Sequence, residues 1–313
     1  MKNFAIIFPG QGSQHIGMLS DLFKKFSIIQ ETFNESSEVL GYNLWNLIQN
    51  GPKIELDRTW RSQPAILTAS VSIFRLFMKK VFILPRIMAG HSLGEYSALV
   101  CSGVIDFRSA VRLVETRGKL MQESIEDRET ETYAIIGIDK STIRDICLHV
   151  SSKSQIVSIS SFNSDEQVVI SGDKKAVRNV LKYCSYFSKR KYFFPLSISV
   201  PSHCDIMKPA AKKLFNVLEE VVFKSPKIDV VNNVDVLVEK NENRIKQALK
   251  KHLYLPVRWL EIMRFIEKQG CNILFEIGPG NVLTNLSKRI TRKVLAFQIN
   301  NFESLNKALL KFL

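Results

Sequence analysis

The chain has 313 residues, 45% of them hydrophobic, enough to bury a sizeable core in one large domain with an insertion or in two domains. Its five cysteines stand singly and without C-x-x-C spacing, so neither a disulfide framework nor a zinc site is suggested, and a reducing compartment fits. The net charge of +14 is spread along the chain and not gathered in aromatic-interleaved blocks, so it reads as lysine-rich solvated faces, argues against a nucleic-acid surface and leaves an acidic protein partner open.

Residues 3–8 are almost wholly apolar, as a strand covered on both faces is. The run is too short for a signal-peptide core or a membrane span, no later run is longer in kind, and a soluble cytoplasmic protein is expected. It enters the loop Pro9-Gly10-Gln11-Gly12-Ser13-Gln14 ahead of a helix over 17–26. This loop either lets the Gln11 N–H and side chain approach a reacting carbonyl or is a tight turn, and a phosphate loop is disfavoured for want of G-K-[ST]. Helices are predicted over 28–40 and 44–49. Pro64 suits a first helical position, which puts Gln63 at a helix mouth, as a cap or as a pocket residue, ahead of a helix over 65–79 with its apolar stripe at Ile66, Ala69, Ile73 and Phe77.

The next stretch, Met88-Ala89-Gly90-His91-Ser92-Leu93-Gly94-Glu95-Tyr96, carries the chain's strongest chemical signal. A short apolar strand over 86–89, a turn between two glycines and a helix from near Leu93 make the layout of a nucleophile elbow, G-x-S-x-G, with Ser92 as the nucleophile. The turn would aim the Ser92 hydroxyl at a helix N-terminus, where the Leu93 N–H can meet a developing oxyanion, and would turn His91 away. In the helix over 110–121, Arg117 falls on the inward stripe. A core-facing guanidinium needs an anion, either an internal carboxylate or one that arrives with a substrate.

From residue 127 the order of predicted elements is βαββαβ: strands over 133–138, 156–162, 167–171 and 192–200, and helices over 141–150 and 174–186, the order of a ferredoxin-like unit. Asn163 lies in one of its turns and could face a cleft. The expected architecture is an α/β-hydrolase-like domain with a parallel sheet, formed by residues 1–126 and 200–313, with a ferredoxin-like subdomain inserted at 127–199. His203, in Val200-Pro201-Ser202-His203, is the one histidine placed beyond the serine as a general base should be; His15 and His149 lack such context. A helix to residue 221, a strand over 228–232, a helix over 244–252, another opening at Pro256-Val257-Arg258-Trp259, and a strand over 273–277 ending in Gly278-Pro279-Gly280 complete the large domain. Asp106, Asp205 and Glu276 are equal candidates for a third, orienting acid.

Phe8-Pro9-Gly10-Gln11-Gly12-Ser13-Gln14, Gly90-His91-Ser92-Leu93-Gly94-Glu95-Tyr96-Ser97-Ala98, Arg117-Gly118, Asn163 with Gln167-Val168-Val169-Ile170-Ser171-Gly172, Val200-Pro201-Ser202-His203, and Gly278-Pro279-Gly280 with Val282-Leu283, in collinear order, resemble the bacterial malonyl-CoA:acyl-carrier-protein transacylases. The resemblance implies that Ser92 carries a malonyl ester, His203 is its base, Gln11 and the Leu93 N–H form the oxyanion hole, and Arg117 binds the malonyl carboxylate. It implies a histidine oriented by a main-chain carbonyl, at the position of His252, where the family usually carries glutamine; Gln63 and His252 are the remaining substrate-binding candidates. Malonyl-CoA, CoA and an acidic acyl carrier protein are the implied partners, with no cofactor, metal, nucleic acid or membrane, and a monomer is expected. Residues 129–134, Glu-Thr-Glu-Thr-Tyr-Ala, depart from the small stretch that the family carries there. A serine hydrolase and a non-enzymatic binding protein are the rival readings.

Overall fold

The computed structural model describes residues 3–125, 127–187, 190–196 and 198–312. Its strands are β1 (Phe4–Phe8), β2 (Ile87–Gly90), β3 (Thr130–Ile136), β4 (Val157–Phe162), β5 (Gln167–Asp173), β6 (Tyr192–Pro195), β7 (Val230–Val231), β8 (Ile273–Ile277) and β9 (Leu295–Ile299). They form two sheets, one ordered β7-β2-β1-β8-β9 and the other β4-β5-β3-β6.

The first sheet is parallel throughout. Strand β1 lies at its centre, and its wholly apolar sequence follows from that place: Phe4, Ile6 and Phe8 enter one core and Ala5 and Ile7 the other, on opposite faces of the sheet. Because the strands run in one direction, the loops that follow β1, β2, β7 and β8 all leave the same edge, where sites in open α/β sheets form. Helices cover both faces, among them Thr59–Lys80, Phe107–Glu123 and Lys208–Glu220 on one and Trp259–Lys268 on the other.

The second sheet is antiparallel and lies in the chain between the Phe107–Glu123 and Lys208–Glu220 helices. Strands β3 and β5 alternate cleanly: Ile135, Val168 and Ile170 pack under the helices Lys140–Val150 and Lys174–Cys184, whereas Thr132, Ala134, Gln167 and Val169 face a cleft toward the large sheet. The two sheets are tied together where Val257 N–H donates to Ser160 O, Phe162 N–H to Val257 O, and Ser171 Oγ to Ser202 O.

Several elements differ from expectation. The helix predicted from residue 65 begins at Thr59, because the Arg58 carbonyl accepts the N–H groups of Arg61 and Ser62 and starts the turn earlier. Pro64 then sits one turn inside and forfeits only the bond to the Trp60 carbonyl. Gln63 is accordingly a buried interior residue and neither a mouth nor a cap. Strand β3 starts at Thr130, three residues before the predicted 133, paired to Asp173. The polar residues of 129–134 suit it: Glu129 and Glu131 pair outward with Lys174 and Arg178, while Thr132 and Ala134 turn inward. The predicted strand over 192–200 is shorter, Tyr192–Pro195, with the Leu196 N–H still donating to Thr132 O at 2.9 Å just beyond it. Ser197 within that prediction, and Glu126 at the predicted domain link, lie outside the described residues. Strand β9 and the helix after it, Phe302–Leu309, had no sequence prediction; β9 is a half-exposed edge strand with weak alternation.

Candidate active site

The elbow is built by close packing. A Cβ on Gly90 would stand 1.8 Å from the Gly94 carbonyl carbon, and one on Gly94 would stand 2.1 Å from the Phe8 oxygen, so both positions exclude every side chain. Between them Ser92 is held at a φ of +52°, a strained conformation for a residue with a Cβ. What holds it there is Asn233, fully buried in the turn after β7: its Oδ1 accepts the Ser92 N–H at 2.9 Å and its Nδ2 donates to Gly90 O at 2.7 Å. Sequence reading missed Asn233. The signal was a polar pair, Asn232-Asn233, ending a short apolar strand at the edge where such sites form. Replacing Asn233 with alanine removes these two bonds and leaves the Ser92 N–H unsatisfied. A loss of roughly 2–3 kcal/mol in a denaturant melt is expected, with reduced turnover, and an unchanged melt would contradict the staple.

Ser92 Oγ lies 2.7 Å from His203 Nε2. On the other side of the ring, His203 Nδ1 lies 2.6 Å from the carbonyl oxygen of His252. A carbonyl only accepts, so Nδ1 carries the proton and the neutral ring leaves Nε2 bare to accept from the hydroxyl. His203 is itself held at a φ of +60°, with its N–H donating to Leu253 O at 2.9 Å. Burial, with the Arg117 charge nearby, pushes its pKa down to about 3, so it is unprotonated at neutral pH. None of the three acids offered as orienting partners fills that role. Asp106 caps the Phe107–Glu123 helix, Asp205 pairs with Lys208 in solvent, and Glu276 accepts the N–H groups of Leu283 and Thr284.

Gln11 lies beside this pair, its side chain tied down by donation to Thr59 Oγ1 at 3.1 Å and Ser62 Oγ at 2.9 Å. Neither the Gln11 N–H nor the Leu93 N–H has an acceptor among the described residues, and Leu93 opens the helix Gly94–Cys101. His91 turns away from Ser92 and lies 3.1 Å from Asn163 Oδ1. The cleft has a volume of about 500 Å³ and is lined by Gln11, Ser92 and His203 from the large unit, by Thr132, Ala134, Asn163 and Val169 from the small one, and by Arg289.

Arg117 is wholly buried. Its Nη1 donates to Gln63 Oε1 at 2.7 Å, whereas Nε and Nη2 make no hydrogen bond among the described residues, and the Tyr96 ring lies 5.5 Å from the guanidinium carbon. Among the described residues no Asp or Glu stands within ion-pair distance of it, and the buried Glu95 acts on it only through space. Gln63 thus holds Arg117, and neither of the two is among the residues that line the cleft. The His252 side chain is also fully buried and off the cleft; only its carbonyl reaches the Ser92–His203 pair, and its Nδ1 stands 3.4 Å from Glu95 Oε2. Among the described residues no cluster of three or more His, Cys, Asp or Glu is arranged to hold a metal, and no helix is long and apolar enough to cross a membrane. The arrangement joins a hydroxyl bonded to a bare imidazole nitrogen, one free N–H at a helix start and another in the loop after β1, and a buried cation with two groups that make no hydrogen bond among the described residues.

Residues 5–303 match the acyl transferase domain family. A malonyl CoA-acyl carrier protein transacylase of Haemophilus influenzae is 48% identical over 307 residues, 98% of either chain. Its namesake from Escherichia coli is 48% identical over 309 residues, 99% of either chain. Among solved structures, the malonyl-transacylase PlMCAT, in complex with a type II PKS acyl-carrier protein, is 52% identical with a TM-score of 0.95 over 99% of this chain and 100% of that one. An acyl carrier protein S-malonyltransferase from Vibrio cholerae is 48% identical with a TM-score of 0.93, over 98% of this chain and 100% of that one.

Proposed function

This chain belongs to the acyl transferase family, among the malonyl-CoA:acyl-carrier-protein transacylases, and we propose that it passes malonyl from malonyl-CoA to the phosphopantetheine thiol of acyl carrier protein through an ester on Ser92. Ser92 Oγ attacks the thioester carbonyl while His203 Nε2 takes the hydroxyl proton. The carbonyl oxygen becomes an oxyanion facing the N–H groups of Leu93 and Gln11. Collapse expels CoA sulfur, which leaves with the proton from His203. The second half runs the same steps backward: His203 takes the proton of the carrier's thiol, the thiolate attacks the malonyl ester, and Ser92 regains its proton. The malonyl carboxylate fills the donor sites that Arg117 Nε and Nη2 leave open. The product is the extender unit for fatty acid biosynthesis.

The observation that carries this reading is the 2.7 Å contact of Ser92 Oγ with His203 Nε2, with the charge of the buried Arg117 guanidinium acting on the same histidine. The net charge of +14 suits an acidic carrier, and five unpaired cysteines suit the reducing cytoplasm. We also read residues 127–199 as a ferredoxin-like insert in an α/β-hydrolase-like domain of residues 1–126 and 200–313, a reading supported by the βαββαβ order and the strand order β4-β5-β3-β6.

A two-step exchange has a distinctive signature. With malonyl-CoA and isotopically labelled CoA alone, label is expected to enter malonyl-CoA in the absence of any carrier protein. Release of free malonate without exchange would instead identify a hydrolase, and exchange that waits for carrier protein would exclude the acyl-serine route.

A further inference from the structure

The two N–H groups of the proposed oxyanion hole are held in unlike ways. A trans peptide sets its N–H and its C=O on opposite sides, so whatever grips the oxygen also fixes the line along which the N–H points. For the Leu93 N–H the oxygen is Ser92 O, which accepts the Glu95 N–H at 3.0 Å as the helix Gly94–Cys101 begins. Main chain holds main chain there, and no side chain is needed. For the Gln11 N–H the oxygen is Gly10 O, and its hydrogen bond comes from a side chain: Ser13 Oγ, in a residue 7% exposed, donates to it at 2.7 Å.

The residues on either side of that peptide are fixed. Gly10 lies so close to the elbow that a Cβ on it would stand 2.6 Å from His91 O. Gln11 is moored through its side chain to Thr59 and Ser62, and the Gly12 N–H donates to Gln14 Oε1 at 2.8 Å. With both neighbours in place, the motion left is rotation of the Gly10–Gln11 peptide plane between them, which exchanges the directions of its oxygen and its N–H. Glycine at position 10 eases that rotation, because it has no Cβ to restrict its ψ. A peptide turned over in this way would present an oxygen where the oxyanion needs a donor.

We propose that Ser13 is a positioning residue of the oxyanion hole: its hydroxyl latches Gly10 O and so keeps the Gln11 N–H turned to serve as a donor. The one proton of the hydroxyl is committed to that carbonyl, so Ser13 acts through the main chain and not on the reacting atoms. Its influence falls on the formation and collapse of the tetrahedral intermediate in both half-reactions, and not on the binding of malonyl-CoA. This inference rests on Ser92 acting as nucleophile and on the Gln11 N–H as an oxyanion donor, and it adds the group that holds that donor in place.

The test joins the single-turnover rate of Ser92 malonylation with the infrared stretch of the resulting ester carbonyl, isolated by isotopic labelling of the thioester carbon of malonyl-CoA. Loss of an oxyanion donor outright costs on the order of a hundred- to a thousandfold. Ser13→Ala removes only the latch, so at saturating malonyl-CoA the rate should fall by about tenfold or more, short of that limit, with half-saturation unchanged. Hydrogen bonds to the ester oxygen lower its stretching frequency; in Ser13→Ala the band should move up, or split as the peptide takes both orientations. A loss of packing alone would not move it. Ser13→Thr keeps the hydroxyl and should keep both rate and band. A Ser13→Ala variant with the rate and band of the unaltered protein would overturn the proposal, as would a raised half-saturation with an unmoved band, which would make Ser13 a substrate contact. Should Ser13→Ala fail to fold, Ser13→Cys supplies the reading, since a thiol fills the same place and donates only weakly. The same upward displacement is expected there, and an unmoved band would overturn the latch. No ester band in the unaltered protein would instead refute the Ser92 reading beneath it.

Discussion

Replacing Ser92 with alanine is expected to cut malonyl transfer by at least about a thousandfold while leaving the fold intact. The elbow has no second hydroxyl to take over: Gly90 and Gly94 admit no side chain, and His91 turns its ring toward Asn163. His203→Ala should lose nearly as much, because a hydroxyl without its acceptor nitrogen keeps its proton at neutral pH. The two residues act as one device, so the double variant should be little worse than either single one. Losses that multiplied would show two independent roles and contradict the 2.7 Å contact as the working link. The depressed pKa of His203, about 3, adds that the base stays active in mildly acidic solution, where an ordinary histidine would already be protonated.

The second large effect concerns selectivity. Arg117→Ala should lower the rate with malonyl-CoA by on the order of a hundredfold or more, the consequence of truncating one partner of a buried charge pair. Transfer of acetyl, which has no carboxylate to bind, should change far less. The structural ground is the guanidinium itself, wholly buried, with one bond to Gln63 and two groups left open. Burying such a cation without an anion is costly, and a site that accepts this cost is prepared for an anion from outside. A thermal melt of the variant separates the cavity it leaves from the lost charge. Equal loss on both acyl groups, measured as kcat/KM, would remove the carboxylate-binding role.

What the sequence made legible was local. The glycine pair around Ser92 dictates a turn, the inward stripe puts Arg117 in the core, and the position of His203 after a strand follows from chain order. These depend on neighbours a few residues away, where periodicity and turn chemistry carry the information. The staple through Asn233 and the contact between His252 and Glu95 depend on residues more than a hundred positions apart being folded against one another, and nothing near either one in the chain announces it. Gln63 was misread for a related reason. Pro64 looks like a helix start, but tertiary packing lets the Thr59–Lys80 helix begin a turn earlier and tolerate the missing bond. Strand β9 escaped because an edge strand half in solvent need not alternate strongly.

The central claim, an acyl ester on Ser92, is tested most directly by mass spectrometry of the intact protein after brief mixing with malonyl-CoA, followed by peptide mapping. The expected result is a mass gain of one malonyl group, confined to the peptide containing Ser92, discharged by added carrier protein and absent from the Ser92→Ala variant. An unmodified mass under conditions where malonyl transfer proceeds would contradict it.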